Sequence, residues 1–319
     1  MDITVVGAGV IGLTTALVLE ERGHRVRIVA AERGDAPDNS TTSSRAGAVW
    51  FPYQVGPPGA VARWAGRTRD WLDELAQIAP DAGVDVLQFY EITRDATELW
   101  WATAAPLSRG PAPVAHAPEA WMFRAPRAEP AIFLPWLAAK LRAPIERRRV
   151  TALADEPGDI VIDCAGLGAR ALTGDAALEP LFGQTLICEP GGFDLATTIT
   201  DARDDDAIFY VIPRRDELVV GGCSIRVPPD TVATVDPEIT ERILGQARAL
   251  GVAIGSVRTV RAGLRPFRRE VRLERDGRII HNYGHGGAGF TLCRGCAEDV
   301  AALLEHAADV ERDGGRTGE

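Results

Sequence analysis

Five cysteines in 319 residues, Cys164, Cys188, Cys223, Cys293 and Cys296, are too few and too scattered for a disulfide framework. Excess positive charge is also missing. The formal net charge is −10, which argues against a nucleic-acid or anionic-membrane partner. The one long apolar stretch, Ile3 to Leu19, is too short and too glycine-broken to span a bilayer. It lacks the parts of a secretory leader as well: Asp2 stands where a basic segment belongs, and Glu20-Glu21-Arg22 follows with no small-residue cleavage site. A cytoplasmic protein is therefore expected. There is no internal repeat, no GxSxG, no HExxH and no lysine-bearing P-loop. Cys293-Arg294-Gly295-Cys296 has no second pair at zinc spacing and reads as helix packing. His281 and His285 span a strand and a glycine turn rather than a helix face, so no metal site is expected.

What the chain does have begins at its start. Ile3 to Val6 reads as a buried strand, Val10 to Arg22 as a helix closed by Gly23, and Val26 to Ala30 as a second strand. Gly7, Gly9 and Gly12 form GxGxxG between the first strand and the helix. The first glycine permits the tight turn, the second lets a pyrophosphate approach the backbone, and the third allows close helix–strand packing. Val10 and Ile11 open the helix, whose N-terminus favours phosphate charge. Glu32 lies twenty residues after Gly12, where a carboxylate can accept from ribose hydroxyls, with Arg33 beside it. This unit binds a dinucleotide but does not choose between FAD and NAD.

Further along, Gly34 to Ser44 is a polar loop. Thr41, Thr42, Ser43, Gly47, Ala48 and Val49 belong to a small-residue stretch whose backbone can lie against a flat ring, or which is a plain linker. A helix is expected from about Ala60 to Ile78, with Trp64 and Trp71 on one packing face. Ala102 to Pro118 reads as a loop, Phe133 to Leu141 as a helix, and Asp159 to Cys164 as a strand ending at Ala165-Gly166. Ile208 to Pro213 and Glu217 to Gly222 read as a hairpin, Asp236 to Leu250 as an amphipathic helix, Ile279 to Tyr283 as a strand and Phe290 to His306 as a helix. The tail from Asp309 to Glu319 is expected to fray. Nucleotide-binding elements at the start, middle and end imply a discontinuous cofactor domain, residues 1–55, 140–180 and 260–319. A substrate domain, residues 56–139 and 181–259, is inserted in two pieces. The fold class is α/β: a Rossmann-like domain with an inserted α+β domain dominated by an antiparallel sheet.

Two side chains and one turn carry the remaining chemistry. Arg265 precedes Pro266, which pushes it toward extended backbone. An arginine so framed can offer a bidentate fork to a carboxylate, although a surface ion pair is the simpler reading of the residue alone. Tyr210 sits on a strand, where most tyrosines only pack. Gly286, Gly287, Gly289, Phe290 and Thr291 open the last helix, whose N-terminus would stabilise negative charge on a flavin ring, with Thr291 as an extra donor.

These residues resemble the D-amino-acid oxidases, FAD flavoenzymes of the glutathione-reductase-like superfamily. The most specific pieces are VVGAGVIGLTTAL at the start, AVWFPY at Ala48 to Tyr53, GLRPFRREVRLE at Gly263 to Glu274, and HNYGHGGAGFT at His281 to Thr291. The resemblance runs over nearly the whole chain and is weakest from about Pro80 to Pro130. It implies that Arg265 binds the substrate carboxylate, that Tyr210 also bonds to it, and that the carbonyl of Gly287 receives the amino group. Val150 would meet the adenine through its backbone, and Gly166 also falls in the cofactor set. The implied cofactor is non-covalent FAD, and the implied partners are a D-amino acid and O2, with a homodimer as the candidate assembly.

Two departures bear on this resemblance. Asp206 stands where vertebrate members carry a lid tyrosine. Ser224 stands where D-aspartate oxidases place an arginine, which weakens an acidic substrate unless Arg226 or Arg215 substitutes. The expected reaction is oxidative deamination of a neutral D-amino acid by hydride transfer to the flavin. Other FAD amine oxidases, such as D-aspartate or glycine oxidase, and a non-catalytic flavoprotein stand as alternatives.

Overall fold

A computed structural model describes residues 1–36, 41–94, 97, 99–204 and 208–314, with side chains through 305. In chain order the elements are β1 (Asp2–Ala8), α1 (Val10–Glu21), β2 (Arg25–Arg33), α2 (Pro58–Ile78), β3 (Val84–Ile92), β4 (Ser108–Pro111), β5 (Glu119–Ala128), α3 (Pro130–Lys140), β6 (Ile145–Arg147) and β7 (Ile160–Asp163). There follow α4 (Ala169–Thr173), β8 (Glu179–Cys188), β9 (Thr197–Asp201), β10 (Phe209–Pro213), β11 (Leu218–Gly221), β12 (Ile225–Arg226), α5 (Pro237–Ala249), β13 (Val257–Asp276), β14 (Ile279–His285) and α6 (Gly289–Gly314).

The strands β14-β7-β1-β2-β6 form a parallel layer. Ile3 to Val6 of β1 is buried throughout, as a parallel strand covered on both faces must be. One face packs on α1, α3 and α6, through Leu13, Phe133, Leu134, Val300 and their neighbours. The other closes over Val6, Val29, Val150, Leu153 and Val161. The rest of the sheet, β4-β5-β3-β9-β10-β11-β8-β13, is antiparallel except for the parallel β3–β9 pair. Helix α5 covers it, with Asp236 capping the amide of Glu238 at 2.8 Å. The expected fold class is what the chain adopts.

β13 joins the two halves. Its first part, to Phe267, pairs with β8, and its second part, from Phe267 to Asp276, pairs with β14 across an irregularity between Phe267 and Arg272. Arg265 sits just before that transition. The substrate anchor expected from the sequence is therefore built into the seam between the nucleotide sheet and the antiparallel sheet.

Trp64 and Trp71 do share a face of α2, and that face meets α6. The Trp64 indole donates to Asp299 at 2.6 Å, and the guanidinium of Arg294 lies 5.6 Å from the Trp71 ring. A Cβ on Gly295 would strike the Trp64 backbone, so glycine is what lets these helices close. Cys293 and Cys296 are fully buried, in keeping with packing. Two expectations need correcting. The segment from Ala102 to Pro118 is not simply loop: it holds a short 3-10 turn at Ala102–Ala104 and β4, whose partners on β5 lie too far off for local pattern to register. The last helix runs to Gly314, eight residues past the end expected at His306.

Candidate active site

The glycine turn after β1 closes tightly against β7. Gly7 has φ +117°, and a Cβ there would run into the carbonyl of Cys164. A Cβ on Gly12 would strike the carbonyl of Gly7, so the start of α1 can approach the turn only without one. α1 has no capping side chain of its own. Instead Ser43, thirty-three residues on, accepts the amide of Val10 at 3.0 Å and lies where a Cβ of Gly9 would point. Ile11 is half-buried behind it. Glu32 is exposed at the end of β2, while Arg33 is held by Asp35 at 2.5 and 3.1 Å. Gly166, with φ +59° and open space beside it, follows β7, and Val150 is buried under β1 and β2. All of these lie at or beside the carboxyl ends of parallel strands, where open α/β sheets hold ligands. They fit the ADP half of a dinucleotide: a glycine turn, a helix N-terminus and an exposed carboxylate.

Residues 41–49 form a strap from α1 to β13. Thr42 donates to the carbonyl of Leu264 at 2.8 Å, and Arg45 donates to that of Ala262. Thr41 and Ser44 tie the strap to itself, and buried Arg214 donates to the carbonyl of Ala46 at 2.7 Å. Gly47 leaves room for Ile212, and Val49 bridges to Arg127. Ala48 is held at φ +57°, a conformation L-residues rarely adopt, by the amide of Ala128 on its carbonyl at 2.9 Å. Nearly every residue of the strap is thus fixed by its neighbours.

At the far end of the strap stands Arg265. A Cβ on Gly183 of β8 would sit 2.5 Å from its Cζ and both terminal nitrogens, so the guanidinium lies flat on that glycine. Its NH1 donates to the carbonyl of Cys223 at 3.0 Å. Tyr210 lies directly opposite Gly221 in the β10–β11 register and packs its ring over that glycine in the same way. Burial raises the Tyr210 phenol above its usual range, while Arg265, which hydrogen-bonds the phenol, pulls the other way. Two glycines in apolar strands thus let an arginine and a tyrosine lie down on the sheet and meet.

The turn into α6 stands beside this pair. Gly286, with φ +55°, donates its amide to the carbonyl of Pro266 at 2.8 Å, which sets the turn beside Arg265. Gly287 is exposed, with the position of a Cβ 3.4 Å from the Tyr53 ring and 3.7 Å from Cδ of Arg265. Gly289 at the head of α6 approaches Val10 at the head of α1, so the two helix N-termini converge. The Thr291 hydroxyl is buried, accepts the amide of Phe51 at 3.0 Å and donates to the carbonyl of Phe51 at 3.0 Å, so it fixes the AVWFPY segment. The ring of Phe290 is likewise in the core, 6.1 Å from that of Phe133. Burial pushes His285 down to about 3, so the imidazole next to this turn is neutral and exchanges no proton near pH 7.

Sequence reasoning missed Tyr53, Gly183 and Gly221 as neighbours of Gly287, Arg265 and Tyr210. A glycine inside an apolar strand is a sign of close approach, and both glycines carried it. Of the two cations expected as replacements for an arginine at Ser224, Arg226 is ion-paired with Glu179 and lies over Phe267, while Arg215 is exposed at the β10–β11 turn, away from Tyr210. Ser224 itself donates to Gln54 at 3.4 Å. Asp206 lies outside the described residues.

The profile of a family described as FAD dependent oxidoreductase (DAO) matches residues 2–303. The chain is 39% identical over 315 residues to a D-amino-acid oxidase of Streptomyces coelicolor, covering 95% of this chain and 96% of that one. It is 38% identical over 317 residues to a D-amino-acid oxidase of Rubrobacter xylanophilus, covering 94% of each. Among solved structures, glycine oxidase from Bacillus cereus superposes with a TM-score of 0.74 at 20% identity, over 96% of this chain and 95% of that one. That last likeness bears on fold alone.

Proposed function

The chain belongs to the FAD dependent oxidoreductase family, and from that premise we propose that it is a D-amino-acid oxidase acting on neutral D-amino acids. The net reaction takes a D-amino acid, O2 and water to a 2-oxo acid, ammonia and H2O2. One observation carries the reading: Arg265 hydrogen-bonds to Tyr210, its stem lies beside the exposed Gly287, and that glycine opens one of two converging helix N-termini.

When bound, FAD supplies the hydride acceptor for the substrate Cα hydrogen and passes the electrons to O2. The chain's own contribution is grip and placement. The guanidinium of Arg265, fixed by Cys223 and Gly183, takes the carboxylate in a two-pronged contact, and Tyr210 adds a hydrogen bond. The carbonyl of Gly287 accepts from the amine. Two fixed points plus a side-chain direction make a chiral pocket, so one enantiomer alone presents its Cα hydrogen to the flavin. With the amine neutral, no base is required at Cα, and neutral His285 is not placed to be one. Gly7, Gly9, Val10, Gly12 and Glu32 hold the ADP portion; the strap from Thr41 to Val49 and the head of α6 hold the ring system.

An acidic side chain finds little to meet it, because Arg226 is already neutralised by Glu179. We assign the FAD unit to residues 1–55, 140–180 and 260–319 and the substrate unit to 56–139 and 181–259, and we place the enzyme in the cytoplasm, with a homodimer as the assembly to test by light scattering. The decisive experiment is the visible spectrum of the purified protein, followed by a peroxide assay over paired D- and L-amino acids. Expected are a flavin spectrum, activity with the D series only, and a higher kcat/KM for D-methionine than for D-aspartate. Equal rates with D- and L-alanine would refute the assigned anchors. Flavin without any peroxide would favour a non-catalytic flavoprotein.

A further inference from the structure

A buried ionic cluster joins the end of β5 to the end of β10 and reaches the strap of residues 41–49. The side chains of Arg127 and Arg214 are each 4% exposed, and that of Glu129 is 10% exposed. NH1 of Arg127 stands 3.5 Å from one Glu129 carboxylate oxygen, and NH1 of Arg214 stands 3.8 Å from the other. Asp85 pairs with Arg127, Glu217 lies 3.8 Å from Nε of Arg214, and Arg261 is a further cation beside it. Apolar residues of the same volume could hold these strands together without the cost of burying charge. They could not supply a donor to the strap. NH2 of Arg214 gives one to the carbonyl of Ala46 at 2.7 Å. NH1 of Arg127 donates to the carbonyl of Pro213 at 2.8 Å and so fixes the backbone from which Arg214 projects.

The strap needs such a hold. Ala48 sits at φ +57°, a conformation that persists only where its surroundings over-determine it. Its carbonyl is taken by the amide of Ala128, next to Arg127. The amides of Gly47 and Ala48 donate to no described residue, although Ala48 is only 8% exposed. Buried amides without an acceptor are rare in folded proteins, and the pyrimidine edge of a flavin carries nitrogen and carbonyl acceptors. A trans peptide points its N–H opposite its carbonyl. With the Ala46 carbonyl turned to Arg214, the Gly47 amide of the same peptide is turned away from the cluster.

We propose that Arg214 is a positioning residue for the cofactor: aimed by Glu129, it locks the strap in the conformation that offers the Gly47 and Ala48 amides to the flavin, and so sets the affinity for FAD. The inference rests on the assignment of the strap to the ring system and adds a residue that acts through the strap.

The test is the Kd for FAD of the full-length wild type, Arg214→Met and Arg214→Lys. It is measured by equilibrium dialysis of the holoenzyme well below the Tm of each protein, with the released flavin read by its fluorescence. Methionine keeps an unbranched stem and leaves Glu129 paired with Arg127, so no carboxylate is stranded. Loss of a charge-assisted hydrogen bond that holds the strap should raise the Kd of Arg214→Met about tenfold or more. Hydrogen exchange gives a second readout: the Gly47 and Ala48 amides should exchange faster in FAD-loaded Arg214→Met than in FAD-loaded wild type. A residue that only stabilised the fold would lower Tm and leave Kd alone, because affinity is untouched while the folded fraction stays near one. A lower Tm with an unchanged Kd therefore overturns the proposal. If Arg214→Met does not fold, Arg214→Lys decides. Its ammonium lacks the planar fork that serves the Ala46 carbonyl and the carboxylates together, so a Kd about threefold or more above wild type is expected, and an unchanged one overturns the proposal. Wild type that binds no FAD sinks the flavoenzyme reading first, whereas FAD-binding wild type with unaffected variants sinks only the role of Arg214.

Discussion

Gly183→Ala tests the carboxylate anchor without touching any group that meets the substrate. The added methyl would lie 2.5 Å from Cζ, NH1 and NH2 of Arg265, whereas ordinary contact begins at 3.4 Å. The guanidinium must therefore move by about 0.9 Å, the difference of those two distances. Gly183 is buried and sits in a regular strand pair with Gly263, so the methyl cannot turn to solvent. The backbone has no left-handed torsion to strain, and the obstacle is the end of a flexible side chain, so the fold should survive at a cost of ~1–3 kcal/mol or less. Placement is less forgiving than stability. A shift of ~1 Å in a positioned group can cost ~10²-fold in rate, equivalent to about 2.7 kcal/mol. The assay is steady-state kinetics with one good D-amino acid, alongside flavin occupancy and Tm. Expected are near-normal FAD content, a small change in Tm, and kcat/KM lower by about two orders of magnitude. A Gly183→Ala enzyme with wild-type kcat/KM would mean that the guanidinium over this glycine is not the anchor.

Other perturbations follow from the same geometry. Arg265→Lys and Arg265→Ala should each lower kcat/KM by roughly two orders of magnitude or more, because lysine cannot reproduce the planar fork; near-normal kinetics for the alanine variant would place the anchor elsewhere. Tyr210→Phe removes a hydrogen bond to charged partners and keeps the ring over Gly221, so a loss of ~1.5–3 kcal/mol, about tenfold or more, is expected in the same assay. Glu91→Gln should raise Tm, and by more at pH 8 than at pH 4. The folded carboxyl is held well above its usual range by burial and Asp201, while the unfolded chain releases that proton near ~4.3. Between the two values the unfolded state binds fewer protons, so wild-type stability falls as pH rises, and glutamine removes that loss. A Tm difference independent of pH would show that Glu91 is charged in the empty protein.

Some of this protein was settled locally, along the chain. The turn Gly7–Gly12 needs only neighbours in sequence: a strand, three glycines and a helix start dictate a phosphate-binding turn, because the torsions and the packing of that turn are set within a few residues. The amphipathic faces of α2 and α5 and the β10–β11 hairpin were legible for the same reason, since period and turn residues are local properties. Arg265 could be singled out by its framing before proline and by family likeness, but the physics of one residue did not separate an anchor from a surface ion pair. That decision belongs to the tertiary structure. Arg265 lies on Gly183, bonds to Cys223 and meets Tyr210 only because β13 bridges two sheets and lines up strands some eighty residues apart. The role of Ser43 as a remote cap for Val10, the capture of the Thr291 hydroxyl by Phe51 and the burial of Glu91 Oε2 without a hydrogen-bond partner among the described residues are decided in the same way. Each is a contact between residues far apart in sequence, and a linear pattern carries no record of which distant backbone will arrive to satisfy a given polar group.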